Sequence, residues 1–205
     1  MKTLAFLSQK GGSGKTTIAV HTAVTALQEG ERVVIIDTDI QRSATTWREA
    51  RVMDAPTVAP VPAAQLLEVM NACAHDAMTL CIIDTAPHAA PDAARVAQVA
   101  DLVVIPCRPT AFDLAAVGNA VEIVRAAKVP AVFVLSACPY RSPEVAEARS
   151  VLEGYGWPVA PVEITERRAF ARAVASGRAV TEFEANGKAA EEVRALWHWL
   201  KEKMQ

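Results

Sequence analysis

"LSQKGGSGKTTIAV", residues 7–20, is the stretch on which the fold turns. An apolar run from Thr3 to Ser8 leads into it, and an Ala- and Val-rich run of helical periodicity leaves it from Lys15. Strand, glycine loop and helix in that order form the setting of a phosphate-binding loop. Gly11, Gly12 and Gly14 let the backbone turn its N–H groups inward, and the positive end of the following helix adds its dipole, so a chain of phosphates is cradled. Lys15 is then expected to reach the β- and γ-phosphates and Thr16 to offer its hydroxyl to Mg²⁺, with Ser13 and Thr17 completing the loop's nucleotide contacts. Two features do not fit the plain pattern G-x-x-x-x-G-K-[ST]: Gln9 stands at the first glycine, and Lys10 is a second lysine with no phosphate of its own to bind.

Outward from the loop, short aliphatic runs alternate with longer helical stretches. Strands are expected at Thr3 to Ser8, Arg32 to Asp37, Thr79 to Asp84, Leu102 to Pro106 and Ala131 to Ala137. Helices are expected at Lys15 to Glu29, Ala63 to Ala77, Pro91 to Ala100, Ala111 to Ala127, Pro143 to Gly154 and from about Lys188 to Met204. This alternation is the sequence form of repeated βαβ units, and strands that are nearly all apolar belong inside a parallel sheet covered on both faces. The expected class is α/β, a doubly wound and mostly parallel sheet. "TVAPVPAA" and "PVAPVEIT" suit edge strands, because their prolines cannot serve a central ladder. With no repeat, linker or low-complexity tract, residues 1–205 read as one domain.

Composition narrows the function classes. A net charge of -2 over 205 residues does not mark a general nucleic-acid binder, so such a role would need a local patch. The cysteines Cys73, Cys81, Cys107 and Cys138 form no C-x-x-C pair and read as reduced, buried thiols of a cytosolic protein. The apolar N-terminal run is too short for a signal peptide, and no run approaches the roughly 20 residues of a membrane span.

Two further segments place acids at strand ends. "IIDTDIQRSATTW" carries Asp37 and Asp39 off the carboxyl end of the second strand, where ligands of open α/β sheets bind. "LCIIDTAPHAAP" ends its strand at Asp84, in the form of a Walker B segment. A more modest reading of the first has Asp39 and Ser43 capping the next helix. His88 reads more simply as a solvated loop residue than as a catalytic one.

"QKGGSGKTT" resembles the deviant Walker A motif of the ParA/MinD family of P-loop ATPases. The resemblance implies ATP and Mg²⁺ as ligands and a nucleotide-sandwich homodimer in which Lys10 crosses to contact the ATP of the other subunit. A cation supplied in trans stabilises the charge that develops on the transferring phosphoryl group, which makes hydrolysis conditional on dimerisation. The two acid-ended strands resemble the family's switches. Asp39 then positions the attacking water, Asp37 and Asp84 contribute to the Mg²⁺ shell, and the loop from Thr85 to His88 senses the γ-phosphate. Ile40 stands at a usual proline of the first switch. "LVVIPCRPTAFDLAAVG" resembles the family's strand and loop beside the base, which nominates Pro106 and Pro109 for the base pocket; an ordinary strand end, with Asp113 in a favourable first helical turn, fits the residues as well. Ser136 stands where many relatives carry an asparagine that reads adenine, so preference for ATP is an inference from the family alone.

"ERRAFARAVASGR" holds Arg167, Arg168, Arg172 and Arg178 with no acid after Glu166, and on a helix Arg168 and Arg172 share a face. Doubled in a dimer, this patch is expected to bind DNA phosphates without sequence preference; a solvated helix face is the other reading. The last helix sets Val193, Leu196, Trp197, Leu200 and Met204 along one packing stripe, and an amphipathic tail beyond it is absent from the sequence, so no membrane partner is expected. The resemblance is to the short ParA type. It implies a cytoplasmic, nucleoid-associated ATPase for DNA partition or cargo positioning, released when a small ParB-like DNA-binding partner stimulates hydrolysis. A scaffold-type or MinD-like ATPase acting on protein cargo, and a metabolic P-loop enzyme, stay open as alternatives.

Overall fold

In the computed structural model, described over residues 1–87 and 90–205, the aliphatic runs become six parallel strands. They are β1 (Lys2–Phe6), β2 (Val33–Asp37), β3 (Thr57–Pro60), β4 (Leu80–Asp84), β5 (Leu102–Cys107) and β6 (Ala131–Leu135). Their order across the sheet is β3-β2-β4-β1-β5-β6. The chain winds from β1 towards the β3 edge, returns to β4, and then crosses β1 to reach β5. The loop after β1 therefore lies where the winding direction reverses, the position at which open α/β sheets bind ligands.

The helices are α1 (Lys15–Gln28), α2 (Ser43–Glu49), α3 (Leu66–His75), α4 (Ala90–Val99), α5 (Ala111–Ala127), α6 (Pro143–Glu153), α7 (Arg168–Ala175), α8 (Val180–Phe183) and α9 (Lys188–Lys203). Strand side chains alternate between two packed layers. Leu4, Phe6, Ile35, Ile82 and Val104 face a layer that includes α1, α7 and α9, with Trp197 fully interred among them. Ala5, Leu7, Ile36, Ile83 and Ile105 face the opposite layer, with α4, α5 and α6. Both faces are dry, which is why the strands read as continuous apolar runs rather than as alternating ones.

"TVAPVPAA" does form an edge strand, β3. "PVAPVEIT" does not form a strand of its own; it touches the sheet through isolated bridges from Val159 to Phe133 and from Thr165 to Cys138. The prolines at 158 and 161 deprive it of regular donors. The expected helix from Ala63 starts as a 3-10 turn, Ala63–Gln65, before α3. Cys81, Cys107 and Cys138 are buried free thiols, each pushed up to about 12 by burial, while Cys73 is half-buried. Among the described residues no helix is long and apolar enough to cross a membrane. His88 lies outside the described residues.

Candidate functional site

The glycine loop takes the shape that its composition requires. Gly12 and Gly14 have φ of 77° and 93°, the left-handed region that glycine enters without a Cβ penalty, and Gly14 is the residue that starts α1. A cavity of about 280 Å³ opens over the loop, lined by Gly11, Gly12, Gly14, Lys15, Thr16 and Thr17 and closed by Asp39, Ser43 and Pro87 from the switches. Lys15 is buried and its Nζ donates to the Lys10 carbonyl at 3.2 Å. Burial pulls its ammonium below the ordinary lysine range, and the carboxylates of Asp84 and Asp39 push the other way. An anion in this cavity would restore the charge that burial disfavours.

Lys10 does not line that cavity. Its Nζ turns to the side of α5, where it donates to Asp113 Oδ2 at 2.6 Å, beneath the exposed ring of Phe112 at 5.9 Å from the centroid. Asp113 is buried, and Thr110 Oγ1 also donates to its Oδ2, at 2.6 Å. The two loop lysines, five positions apart, thus face different partners.

The strand-end acids separate into distinct roles. β2 and β4 pair with Asp37 opposite Asp84. Asp37 braces the first switch: its Oδ1 accepts from Asp39 N at 3.1 Å, and its Oδ2 accepts from Thr45 N at 3.0 Å and Thr45 Oγ1 at 2.8 Å. Asp39 opens on the phosphate cavity and accepts the Gln41 N–H at 2.9 Å. The helix-capping carboxylate is therefore Asp37 rather than Asp39, and both Asp37 oxygens hold the switch in place. Asp84 differs. Its Oδ2 accepts from Thr16 Oγ1 at 2.6 Å, whereas Oδ1 is buried with no hydrogen-bond partner. Burial pushes this carboxyl up to about 7, against the Thr16 hydrogen bond.

A buried orphan oxygen beside a threonine hydroxyl and a phosphate cradle fits Mg²⁺ delivered with a nucleotide, with Thr16 and Asp84 as the protein side of its shell. Among the described residues no group of three His, Cys, Asp or Glu could hold a metal ion. Thr85 Oγ1 donates to Phe6 O at 2.8 Å and Thr38 Oγ1 to Asp84 O at 2.9 Å, so both switches are tied at their roots to the central strands.

A second cavity, about 270 Å³, adjoins the loop at Gly12, Gly14 and Thr17 and runs between Arg108, Ser136 and the segment from Ile164 to Val174. It shares Gly12, Gly14 and Thr17 with the phosphate cavity, which makes it the candidate base cavity. Pro106 and Pro109 do not line it; Pro106 pairs within the sheet and Pro109 is buried, and the β5 segment contributes Arg108 instead. Ser136 Oγ donates to the Ser13 carbonyl at 2.7 Å, so this side chain ties β6 to the phosphate loop.

Of the four arginines, Arg167 is drawn inward, while Arg168, Arg172 and Arg178 are exposed. Arg167 lines the second cavity and forks onto Glu192, with Nη2 to Oε1 at 2.6 Å. Arg168 and Arg172 are exposed on α7. Arg178 is exposed too, but its guanidinium bonds the Glu182 carbonyl and lies over the Phe183 ring that Arg172 also covers. Sequence reading missed Arg108, Glu192 and the pairing of Asp113; only the Thr-x-x-Asp spacing at Thr110 hinted at an occupied helix start.

Sheet order, glycine loop and strand-end acids together define a P-loop nucleoside triphosphatase. Residues 4–180 match the CobQ/CobB/MinD/ParA nucleotide binding domain; the chain belongs to this family and is a ParA/MinD-family ATPase. It is 32% identical over 210 residues to the maintenance of carboxysome distribution protein A of Gloeobacter kilaueensis, covering 99% of this chain and 94% of that one. Apo McdA from Cyanothece superposes with a TM-score of 0.82 at 19% identity, over 100% of both chains. MinD from Pyrococcus horikoshii, solved with Mg-ADP, superposes with a TM-score of 0.79 at 17% identity, over 97% of this chain and 95% of that one.

Proposed function

We propose that the protein is a positioning ATPase that closes into an ATP-bound homodimer, rides on DNA without sequence preference, and is released when a partner stimulates hydrolysis. The observation that carries this reading is the division between the two lysines. Lys15 lies in its own phosphate cavity, while Lys10 is turned out of it, its side chain 35% exposed and paired with Asp113, a partner it exchanges for the nucleotide of a second copy. Lys15 neutralises the phosphates, Asp39 orients the attacking water, and Lys10 of the other subunit stabilises the charge on the phosphoryl group in flight. Thr16 and Asp84 would hold a Mg²⁺ brought with the nucleotide, which would neutralise phosphate charge. Arg168 and Arg172 supply the DNA face, and pairing two chains doubles their phosphate contacts.

The cargo is the finer question. The relative named for carboxysome distribution, similar along almost the whole chain, favours a protein body over a plasmid as cargo, with the partner a small DNA-binding or cargo-bound protein of the ParB kind. Sedimentation with DNA tests the carrier function. Retention is expected with ATP, weak retention with ADP, and loss in Arg168→Ala/Arg172→Ala; equal retention with either nucleotide sinks the reading. Asp39→Ala is expected to stay DNA-bound with ATP and not turn over. Tagging the protein in its native cell and identifying what co-purifies distinguishes protein cargo from plasmid.

A further inference from the structure

The segment from Ile164 to Val174 serves two surfaces. Ile164, Thr165, Phe170 and Val174 wall the cavity beside the phosphate loop, whereas Arg168 and Arg172 stand outside it, exposed. Backbone bonds secure the first part of the segment: Ile164 N donates to Leu135 O at 3.0 Å, and Glu166 N to Cys138 O at 2.8 Å. They stop at Glu166. Arg167, next in the chain, starts α7 with no side-chain cap.

One carboxylate takes over there. Glu192, from α9, accepts from Thr165 N at 3.1 Å and Thr165 Oγ1 at 2.8 Å, and its Oε1 also accepts from Arg167 Nε at 3.1 Å and Nη2 at 2.6 Å. The pair is largely shielded, with side chains 15% exposed at Glu192 and 25% at Arg167. Charge-assisted bonds of this kind, shared by one acceptor among four donors, set geometry as well as energy. Remove the carboxylate, and Arg167 becomes an unpaired cation on the cavity wall, while the entry of α7 loses its side-chain anchor.

We infer that Glu192 is a positioning residue for nucleotide binding: through Thr165 and Arg167 it holds the wall of the base cavity and, with it, the arginine face of α7. It touches neither the phosphates nor the strand-end acids. The consequence for the arginine face rests on the DNA-carrier reading above; the consequence for the nucleotide does not. A base that packs against Phe170 and Val174 meets a wall whose placement is set from α9, so nucleotide and DNA surfaces share one clamp.

Glu192→Ala is expected to weaken binding of a fluorescent ATP analogue and raise KM for ATP about tenfold, with kcat at saturating ATP within about twofold of the parent. Glu192→Gln keeps an acceptor for Thr165 but removes the charge from Arg167, and is expected to raise KM by about threefold. Lys201→Ala is the control. It removes the ion pair to Glu31 at the far end of the same helix and is expected to leave KM unchanged. If Glu192→Ala does not fold, Glu192→Gln decides the matter alone. A parental KM in the soluble Glu192 variants, or a fall in kcat with no rise in KM, overturns the inference. At saturating ATP, Glu192→Ala is expected to retain DNA less well than the parent. Absence of DNA retention by the parent itself would instead refute the carrier reading and leave the KM result standing.

Discussion

Lys10 Nζ and Asp113 Oδ2 lie 2.6 Å apart, joining the phosphate loop to the first turn of α5 across 103 residues of sequence. The acid is buried and the lysine partly exposed, so the pair holds the signature lysine within its own chain. To reach the nucleotide of a second copy, Lys10 must leave Asp113. Asp113→Asn keeps the shape and removes the charge, and is expected to lower the protein concentration needed for ATP-dependent self-association by roughly threefold to tenfold. Analytical ultracentrifugation with ATP measures it; association weaker than the parent's would mean that the pair supports the dimer rather than restrains it.

The two lysines are expected to fail differently. Lys15→Ala removes the buried cation from the phosphate cavity, and ATP affinity should fall on the order of 100-fold. Lys10→Ala should bind ATP within about threefold of the parent yet lose turnover, because its partner phosphate is not its own. Calorimetry alongside phosphate release resolves the two, and equal loss of binding contradicts the division.

Asp84 predicts a pH dependence of the nucleotide-free protein. Its carboxyl, ordinarily near 3.8, is raised to about 7 by burial, so between those values the folded state holds a proton that the unfolded chain has released. The stability it contributes is present below pH 4 and is lost as pH rises to about 7. His21, fully buried with Nδ1 accepting the Val180 N–H, is driven down to about 3, and its contribution is lost in the opposite direction, as pH falls below 6.5. Asp84→Asn removes only the first slope. Its stability should therefore gain on the parent's as pH rises from 5 to 7, by on the order of 1 kcal/mol per unit at most. Urea unfolding at the two pH values checks the sign, and a constant difference would contradict it.

Gly177 joins α7 to the Arg51 loop at a point with no room for a side chain. Its φ is 64°, and a Cβ would stand 2.4 Å from the carbonyl carbon and oxygen of Ala50. The Gly177 carbonyl accepts from Arg51 Nη1 at 3.0 Å, and this buried guanidinium is also bidentate with Glu182. Gly177→Ala is expected to cost about 3 kcal/mol or more, read as a lowered urea midpoint. A midpoint like the parent's would show that the two backbones separate easily.

Much of the nucleotide site is legible before folding. Glycines, Lys15 and Thr16 are neighbours in sequence, and their local conformation alone cradles a phosphate. Asp37 and Asp84 announce themselves by ending apolar strands, with Asp39 two residues beyond the first, because parallel strands all point their carboxyl ends to one crevice. The base cavity is another matter. Pro106 and Pro109 were nominated from the right segment, but the sheet and loop turn both away and leave Arg108 at the wall. That Thr45, eight residues on, binds the Asp37 carboxylate likewise emerges only in the fold.

The α/β class, the parallel sheet and the phosphate loop follow from the order of residues alone, since each rests on spacings of a few residues and on the period of apolar runs. The same order singles out Lys10 as surplus. Where that lysine rests, which acid braces and which is left with an orphan oxygen, and that Arg167 faces inward while Arg168 and Arg172 face out, emerge only when the chain is folded. These outcomes depend on contacts between residues distant in the chain, Lys10 with Asp113 and Arg167 with Glu192, where burial and competition for hydrogen bonds choose one partner among several that the sequence permits.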